Sequence, residues 1–174
     1  MRNIESATIP SSVKTISSRA FLDCKQLTEI TFSSNSSLEK ICSYAFNQCP
    51  IEKFIFSETV QYVEDHAFSY NENLISVQFN SQNINIRMRC FSNCPNLEVI
   101  SFPNATNIYF DFYDCKLPDE AEIHVRRDVK LIGYFSQYKE YIKYVFGPEE
   151  SEIVKYDEPK IKSVILIKKY IQKR

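Results

Sequence analysis

The sequence predicts a repeat solenoid of the α/β class, rich in β-structure and built on a parallel sheet. It should hold about five repeats of 21–25 residues and end in a helical C-terminal cap. Three observations predict it. Phenylalanine returns at near-constant spacing as Phe21, Phe46, Phe68, Phe91 and Phe112, at intervals of 25, 22, 23 and 21 residues. A branched aliphatic precedes each of the first four by five residues: Ile16, Ile41, Val63 and Ile86. An apolar triplet follows, as Leu27/Ile30/Phe32, Ile51/Phe54/Phe56, Leu74/Val77/Phe79 and Leu97/Ile100/Phe102.

The chain opens on a partial repeat over residues 1–10. Ile4, Ala7 and Ile9 match Leu27, Ile30 and Phe32, and Pro10 follows, as at the end of a strand. A start in mid-repeat points to a longer array. In the stretch Leu27-Thr-Glu-Ile-Thr-Phe32, Ile30 and Phe32 alternate with Glu29 and Thr31, the pattern of a strand with one buried face. One unit alone cannot cover that face. Stacking units about 4.8 Å apart makes a continuous sheet and a shared core. The residue before the motif Phe is small (Ala20, Ala45, Ala67, then Cys90), as a tight turn around an interior ring requires. Three residues after it come Cys24, Cys49, Asn71, Cys94 and Cys115. The fifth unit is looser: Ile108 sits one place off, and Leu117, Ile123 and Val125 follow after an insertion. The repeats are expected to end near residue 125.

Read together, L-x-x-I-x-F and V-x-x-I-x-x-x-A-F-x-x-C resemble the BspA-like leucine-rich repeat over residues 4–125. The spacing lies within the roughly 20–29 residues of leucine-rich repeats. The chain departs from the family where Ser17, Cys42, Glu64 and Arg87 stand in place of its usual Gly. The resemblance implies a leucine-rich-repeat solenoid, a non-enzymatic adhesion or recognition role at a cell surface, and a protein ligand. An intracellular scaffold on the same fold is the alternative. It fits residues 1–12, which lack the apolar run of a signal peptide, and thiols placed by the repeat rather than by pairing.

Residues 126–174 read as a C-terminal cap. Tyr134, Tyr138, Tyr141, Ile142 and Val145 lie at helical spacing and Gly147-Pro148 stops them, which predicts a helix over 134–146. An acidic stretch (Glu149 to Glu158) precedes a basic, apolar tail from Lys160 to Arg174, for which helix and strand both stay open.

Composition narrows the function classes. Twenty-one basic against 22 acidic residues give a formal charge of -1, with no net pull toward nucleic acid or anionic membrane. Two glycines, Gly133 and Gly147, cannot build a phosphate-cradling loop. The apolar run Val164 to Ile167 is too short to span a bilayer. No Cys-x-x-Cys pair or Cys/His cluster has metal-ligand spacing, and His66 and His124 stand apart, so no metal, cofactor or catalytic residue is assigned. The motif Phe residues and Cys24, Cys49, Asn71, Cys94 and Cys115 are assigned to the structural core. Asn35 and Asn104 begin N-x-S/T sequons in inter-strand loops. The candidate binding surface is the outward face of the strands: Glu29, Thr31, Lys53, Ile55, Ser76, Gln78, Val99, Ser101, Glu122 and His124. It has mixed charge and no aromatic stripe of the kind that binds single-stranded nucleic acid.

Overall fold

In the computed structural model, residues 3–110, 116–133 and 135–146 are described. They form a parallel β-solenoid of about six coils. Each coil gives one strand to each of two walls. The first wall holds β1 (Ser6–Ile9), β3 (Glu29–Phe32), β5 (Lys53–Phe56), β7 (Ser76–Phe79), β9 (Val99–Phe102), β11 (Glu122–Arg126) and β13 (Ile142–Phe146). The second holds β2 (Thr15–Ile16), β4 (Lys40–Ile41), β6 (Tyr62–Val63), β8 (Asn83–Ile86), β10 (Asn107–Phe110) and β12 (Lys130–Gly133). The branched aliphatics five residues before each motif Phe are thus strand residues of this second wall, and Ile16, Ile41, Val63 and Ile86 are buried.

The turns carrying Ala-Phe-x-x-Cys form the third side of each coil, and they are hydrogen-bonded too. The amides of Tyr44, Phe46 and Gln48 donate to the carbonyls of Asp65, Ala67 and Ser69 in the next coil, at 3.2, 2.8 and 3.1 Å. His66, Phe68 and Tyr70 repeat the pattern onto Met88, Cys90 and Ser92. The residues between them bond locally, as Ala45 to the Cys42 carbonyl. This alternation needs left-handed backbone two residues before and two after Phe21, Phe46, Phe68 and Phe91. Arg19, Tyr44, His66 and Arg89 have φ of 54–61°, and Asp23, Gln48, Tyr70 and Asn93 have 58–60°. None is glycine, and each such residue costs about 1 kcal/mol or more against the right-handed form. The inter-coil bonds made at the same residues hold them there.

The core runs down the axis. Phe21, Phe46, Phe68 and Phe91 stack with centroids 5.0, 5.2 and 5.7 Å apart. A second column, Phe56, Phe79 and Phe102, stacks at 4.0 and 4.9 Å. Edge-on pairs join the columns, among them Phe54–Phe68 at 4.8 Å. Phe46, Phe68 and Phe91 are sealed, whereas Phe21 is half-buried in the first coil. Phe112 and Cys115 lie outside the described residues.

Both walls continue past residue 125 as β12 and β13. Two expectations change. The α-helix expected over 134–146 is not what the structure describes. Phe135–Tyr141 is a 3-10 helix and Ile142–Phe146 is a strand on β11. The open edge of β11 offers backbone partners that outweigh the weak helical spacing of a short segment. In the fifth repeat, register pairs Ile108 with Ile84 and puts Phe110 opposite Ile86. Phe110 therefore fills the slot assigned to a displaced Ile108. The acidic stretch and the basic tail lie outside the described residues.

Phe68 packs against Phe46, Phe54, Phe56 and Phe91. Phe68→Ala is expected to cost about 3–5 kcal/mol in denaturant unfolding. Phe21→Ala, at a half-buried ring, should cost clearly less. Equal losses would contradict this account of the core.

Candidate functional site

The outward residues of the first wall arise from strand alternation, and register sorts them into columns. Lys53, Ser76, Val99 and Glu122 pair in sequence along β5, β7, β9 and β11. Ile55, Gln78, Ser101 and His124 form the parallel column beside them. Lys53 and Ile55 are exposed, while the other six are half-buried. His124 Nε2 lies 2.7 Å from Glu122 Oε2, and Lys143 Nζ approaches the other oxygen at 3.8 Å. Gln78 Nε2 donates to Asn80 Oδ1 at 2.7 Å, and Asn80 Nδ2 donates to the Phe56 carbonyl at 3.1 Å. Gln78, Glu122 and His124 are thus engaged with neighbours, and the two exposed side chains lie at the β5 end.

There the expected continuous sheet is broken. Glu29 and Thr31 sit on β3, which pairs with β1, while β5 pairs with β7. No strand pairing joins β3 to β5 among the described residues. The sequence contains the cause. Two residues lie between Cys24 and Leu27, between Asn71 and Leu74 and between Cys94 and Leu97, and in each case the Leu amide donates to the carbonyl of the first residue. Between Cys49 and Ile51 only Pro50 remains. One residue is missing, and Pro50 has no N–H to give. The loop from Ser33 to Glu39 is also two residues longer than the loop from Ser57 to Gln61. The result is a cleft of about 720 Å³, within the usual range of roughly 300–1,000 Å³ for ligand clefts. Its walls include Glu29, Thr31, Phe32, Lys53, Ile55 and Ser57. Ile55 is 59% exposed, an unusual position for an isoleucine.

The same two coils are held firmly elsewhere. β4 pairs with β6, the turn amides of Tyr44, Phe46 and Gln48 bridge across, and the Cys49 amide donates to Asn71 Oδ1 at 2.7 Å. Glu64 stitches them as well. Its Oε2 accepts from the amide and hydroxyl of Ser43 at 3.0 and 3.1 Å, and Oε1 pairs with Lys40. Burial pushes the Glu64 carboxyl up, but Lys40 and Ser43 together pull it below its ordinary value.

The cysteines behave as packing groups. Cys24, Cys42, Cys49, Cys90 and Cys94 are thiols, and all but Cys42 are buried. Cys49 and Cys94 point Sγ at the carbonyls of Phe21 and Phe68, one coil back, at 3.0 and 3.2 Å. Burial pushes the Cys49 thiol up to about 12. Neither histidine heads a nucleophilic arrangement. His66 stacks on Tyr44 at 4.8 Å with Nδ1 at 3.1 Å from Ser69 Oγ, but the buried Ser69 hydroxyl donates to the Arg89 carbonyl at 2.7 Å. Burial and Arg89 hold the His66 imidazole below its ordinary value. Among the described residues no group of three His, Cys, Asp or Glu side chains has the geometry of a metal site. No described helix is long and apolar enough to cross a membrane.

The second wall and the turns carry exposed aromatics that the reading of the strand face missed. Tyr62 (50% exposed) and Tyr109 (42%) flank Asn85 in register on the second wall, and Tyr70 (52%) sits on the turn side. Arg19, Tyr44 and His66 stack along the turns, with the Arg19 guanidinium 5.6 Å from the Tyr44 ring centre. The signal was present as a polar or aromatic residue at fixed offsets from each motif Phe.

Residues 1–118 match the BspA type leucine rich repeat region in six copies. Among solved structures the chain resembles the pneumococcal vaccine antigen PcpA, at 21% identity and a TM-score of 0.56, covering 81% of this chain and 44% of that one. A leucine-rich repeat protein from Bacteroides ovatus gives 21% identity and a TM-score of 0.47 over 76% and 40%. A leucine rich cell surface protein from Faecalibacterium prausnitzii gives 17% and 0.33 over 85% and 61%. The chain spans less than two thirds of each of these structures. No curated protein matches it.

Two outcomes are expected. Acidification should erode the advantage of the wild type over Glu64→Gln. A carboxyl held below its ordinary value adds stability that is complete above 4.5 and is lost as pH falls through the folded value. Parallel melts from pH 7 to pH 3 with a constant gap would contradict the stitch. Iodoacetamide at pH 8, followed by peptide mass mapping, should label Cys42 ahead of Cys24, Cys49, Cys90 and Cys94, which react only after unfolding. On its match over residues 1–118 and on the fold it shares with PcpA, this chain belongs to the BspA-type leucine-rich-repeat family.

Proposed function

We propose that this chain is a non-enzymatic protein-interaction module that meets its ligand through the outward face of its first wall. The observation that carries the reading is the pair of in-register columns from Lys53 to Glu122 and from Ile55 to His124 on a five-strand frame, with Ile55 59% exposed at one end. Repeat proteins use such extended surfaces for partners. The described thiols pack inside the coils, His66 stacks on Tyr44 and His124 hydrogen-bonds Glu122.

The finer reading is adhesion or recognition at a cell surface, as the family resemblance implies. An intracellular scaffold is the second reading, and one observation favours it. Five described cysteines are thiols, and disulfides are sparse in reducing compartments. A glycan on Asn35 or Asn104 in the native protein would decide for export. Both side chains lie on exposed loops.

The ligand surface is tested by cross-linked capture from the native host. Lys53→Ala, Gln78→Ala and Ser101→Ala combined should lower recovery of any specific partner by about tenfold. Tyr62→Ala with Tyr109→Ala, on the other wall, should leave recovery unchanged. The opposite result would move the binding surface to the second wall.

A further inference from the structure

We propose that the corner where the first wall turns into the second, from an amide-lined groove onto the Tyr62–Asn85–Tyr109 column, binds a neutral oligosaccharide. The site lies apart from the first-wall surface and adds a function to the protein-interaction reading.

The groove forms where the loops after β5, β7 and β9 enter the second wall, and it encloses about 620 Å³. Its polar lining includes Gln61, Asn80, Gln82, Asn83, Asn104 and Thr106. Bonds within the protein hold several of these side chains in place. Asn104 Nδ2 donates to the Asn80 carbonyl at 3.2 Å, and Thr106 Oγ1 donates to the Gln82 carbonyl at 3.2 Å. Asn107 Nδ2 donates to Asn83 Oδ1 at 2.7 Å. Asn104 Oδ1, Asn83 Nδ2 and the side-chain amides of Gln61 and Gln82 have no partner among the described residues. Ser81 also lines the groove, and its buried hydroxyl has no partner there either. A buried hydroxyl left over marks a place where a further polar group is wanted. Amides with donors and acceptors to spare suit a ligand whose hydroxyls both donate and accept. Sites for apolar ligands are lined mostly by apolar side chains, and this lining is the reverse.

The second wall adds ring faces beside the groove. Asn83 and Asn85 are alternate residues of β8 and share its outward face, since Ile84 and Ile86 are buried. Register places Asn85 between Tyr62 on β6 and Tyr109 on β10. The two tyrosines are therefore two strands apart, about 9.6 Å. They are 50% and 42% exposed, and neither hydroxyl has a partner among the described residues. The negative face of such a ring attracts the polarised C–H face of a pyranose, while the hydroxyls at the sugar's edge reach neighbouring amides. A short oligosaccharide laid along the solenoid axis meets both kinds of group. Charge favours a neutral one. Lys40 is paired with Glu64 and Arg126 with Asp128, which leaves Glu58 against Arg87 and Lys130. That balance supplies no run of cations of the kind a phosphate backbone requires.

The test uses the purified chain, unglycosylated because Asn104 is also a sequon residue. It is titrated with neutral oligosaccharides of glucose, mannose, galactose, xylose and N-acetylglucosamine, and binding is read by saturation-transfer NMR and calorimetry. Saturable binding of at least one class is expected. Tyr62→Ala with Tyr109→Ala should weaken it about tenfold, whereas Tyr62→Phe with Tyr109→Phe keeps most of it, because the ring faces carry the stacking. Asn83→Asp keeps the acceptor for Asn107 and removes the free donor, so it should weaken binding about tenfold as well. These side chains are outward-facing, so melts of the variants should match the wild type. Asn83→Asp still tests the site if the alanine pair fails to fold. Lys53→Ala, Gln78→Ala and Ser101→Ala combined should leave sugar binding unchanged, so this inference and the first-wall reading fail separately. Saturable binding of none of the panel would overturn the proposal. Binding untouched by both the tyrosine and the Asn83 changes would put the sugar elsewhere and overturn the site. Tighter binding of sulfated or sialylated sugars, or of a single-stranded oligonucleotide, that Lys130→Ala removes would overturn the neutral ligand class.

Discussion

Everything in this molecule depends on the turn that lets one coil lie flat on the next. At that turn the backbone alternates between a bond to its own coil and a bond to the neighbour, as Ala45 bonds Cys42 while Phe46 bonds Ala67. The alternation fixes the coil separation on the third side of the solenoid, where neither wall of strands reaches. With that spacing set, the motif phenylalanines meet face to face inside the turns. The small residue before each ring follows from the same geometry. Ala45, Ala67 and Cys90 are fully buried, so a larger side chain there would push neighbouring coils apart.

The cleft follows from a local breach of that regularity. A missing residue beside Pro50 shortens the path into β5, and the bonds that would have joined β5 to β3 are not made. The two other sides of the same coils keep their bonds, and Glu64 adds ionic and neutral ones. Loss on one side and retention on two makes a wedge. A sheet that was uniform would offer a partner little besides half-buried polar side chains, many already engaged with their neighbours. The breach adds what uniformity lacks, namely unpaired backbone and an exposed Ile55.

Much of this was legible in the residues. Burial repeats with the coil at Phe46, Phe68 and Phe91 and at Ile16, Ile41, Val63 and Ile86, while Phe21 is half-buried. Cys24, Cys49 and Cys94 are each only 2% exposed. The second wall was not legible as strands. β2, β4 and β6 are two residues long, too short for alternation to declare itself. The left-handed positions were hidden because Arg, Tyr, His, Asp, Gln and Asn occupy them in place of glycine. The break was written in the sequence as one residue fewer between Cys49 and Ile51, but a slip of that size reads as repeat variation until the hydrogen bonds are seen. The end of the array misled for a different reason. Helical spacing near Tyr138 competes with an open sheet edge, and the edge prevails at Ile142.

The break between β3 and β5 also has a consequence for how the molecule opens. In a stack where each coil touches only its neighbours, stability is a chain of nearest-neighbour terms. Among the described residues the junction of the coils bearing β3 and β5 lacks one of its three ladders, so fewer bonds must break for it to open. Hydrogen exchange is therefore expected to reach the amides beside this seam through sub-global opening sooner than those of the paired strands from β5 onward.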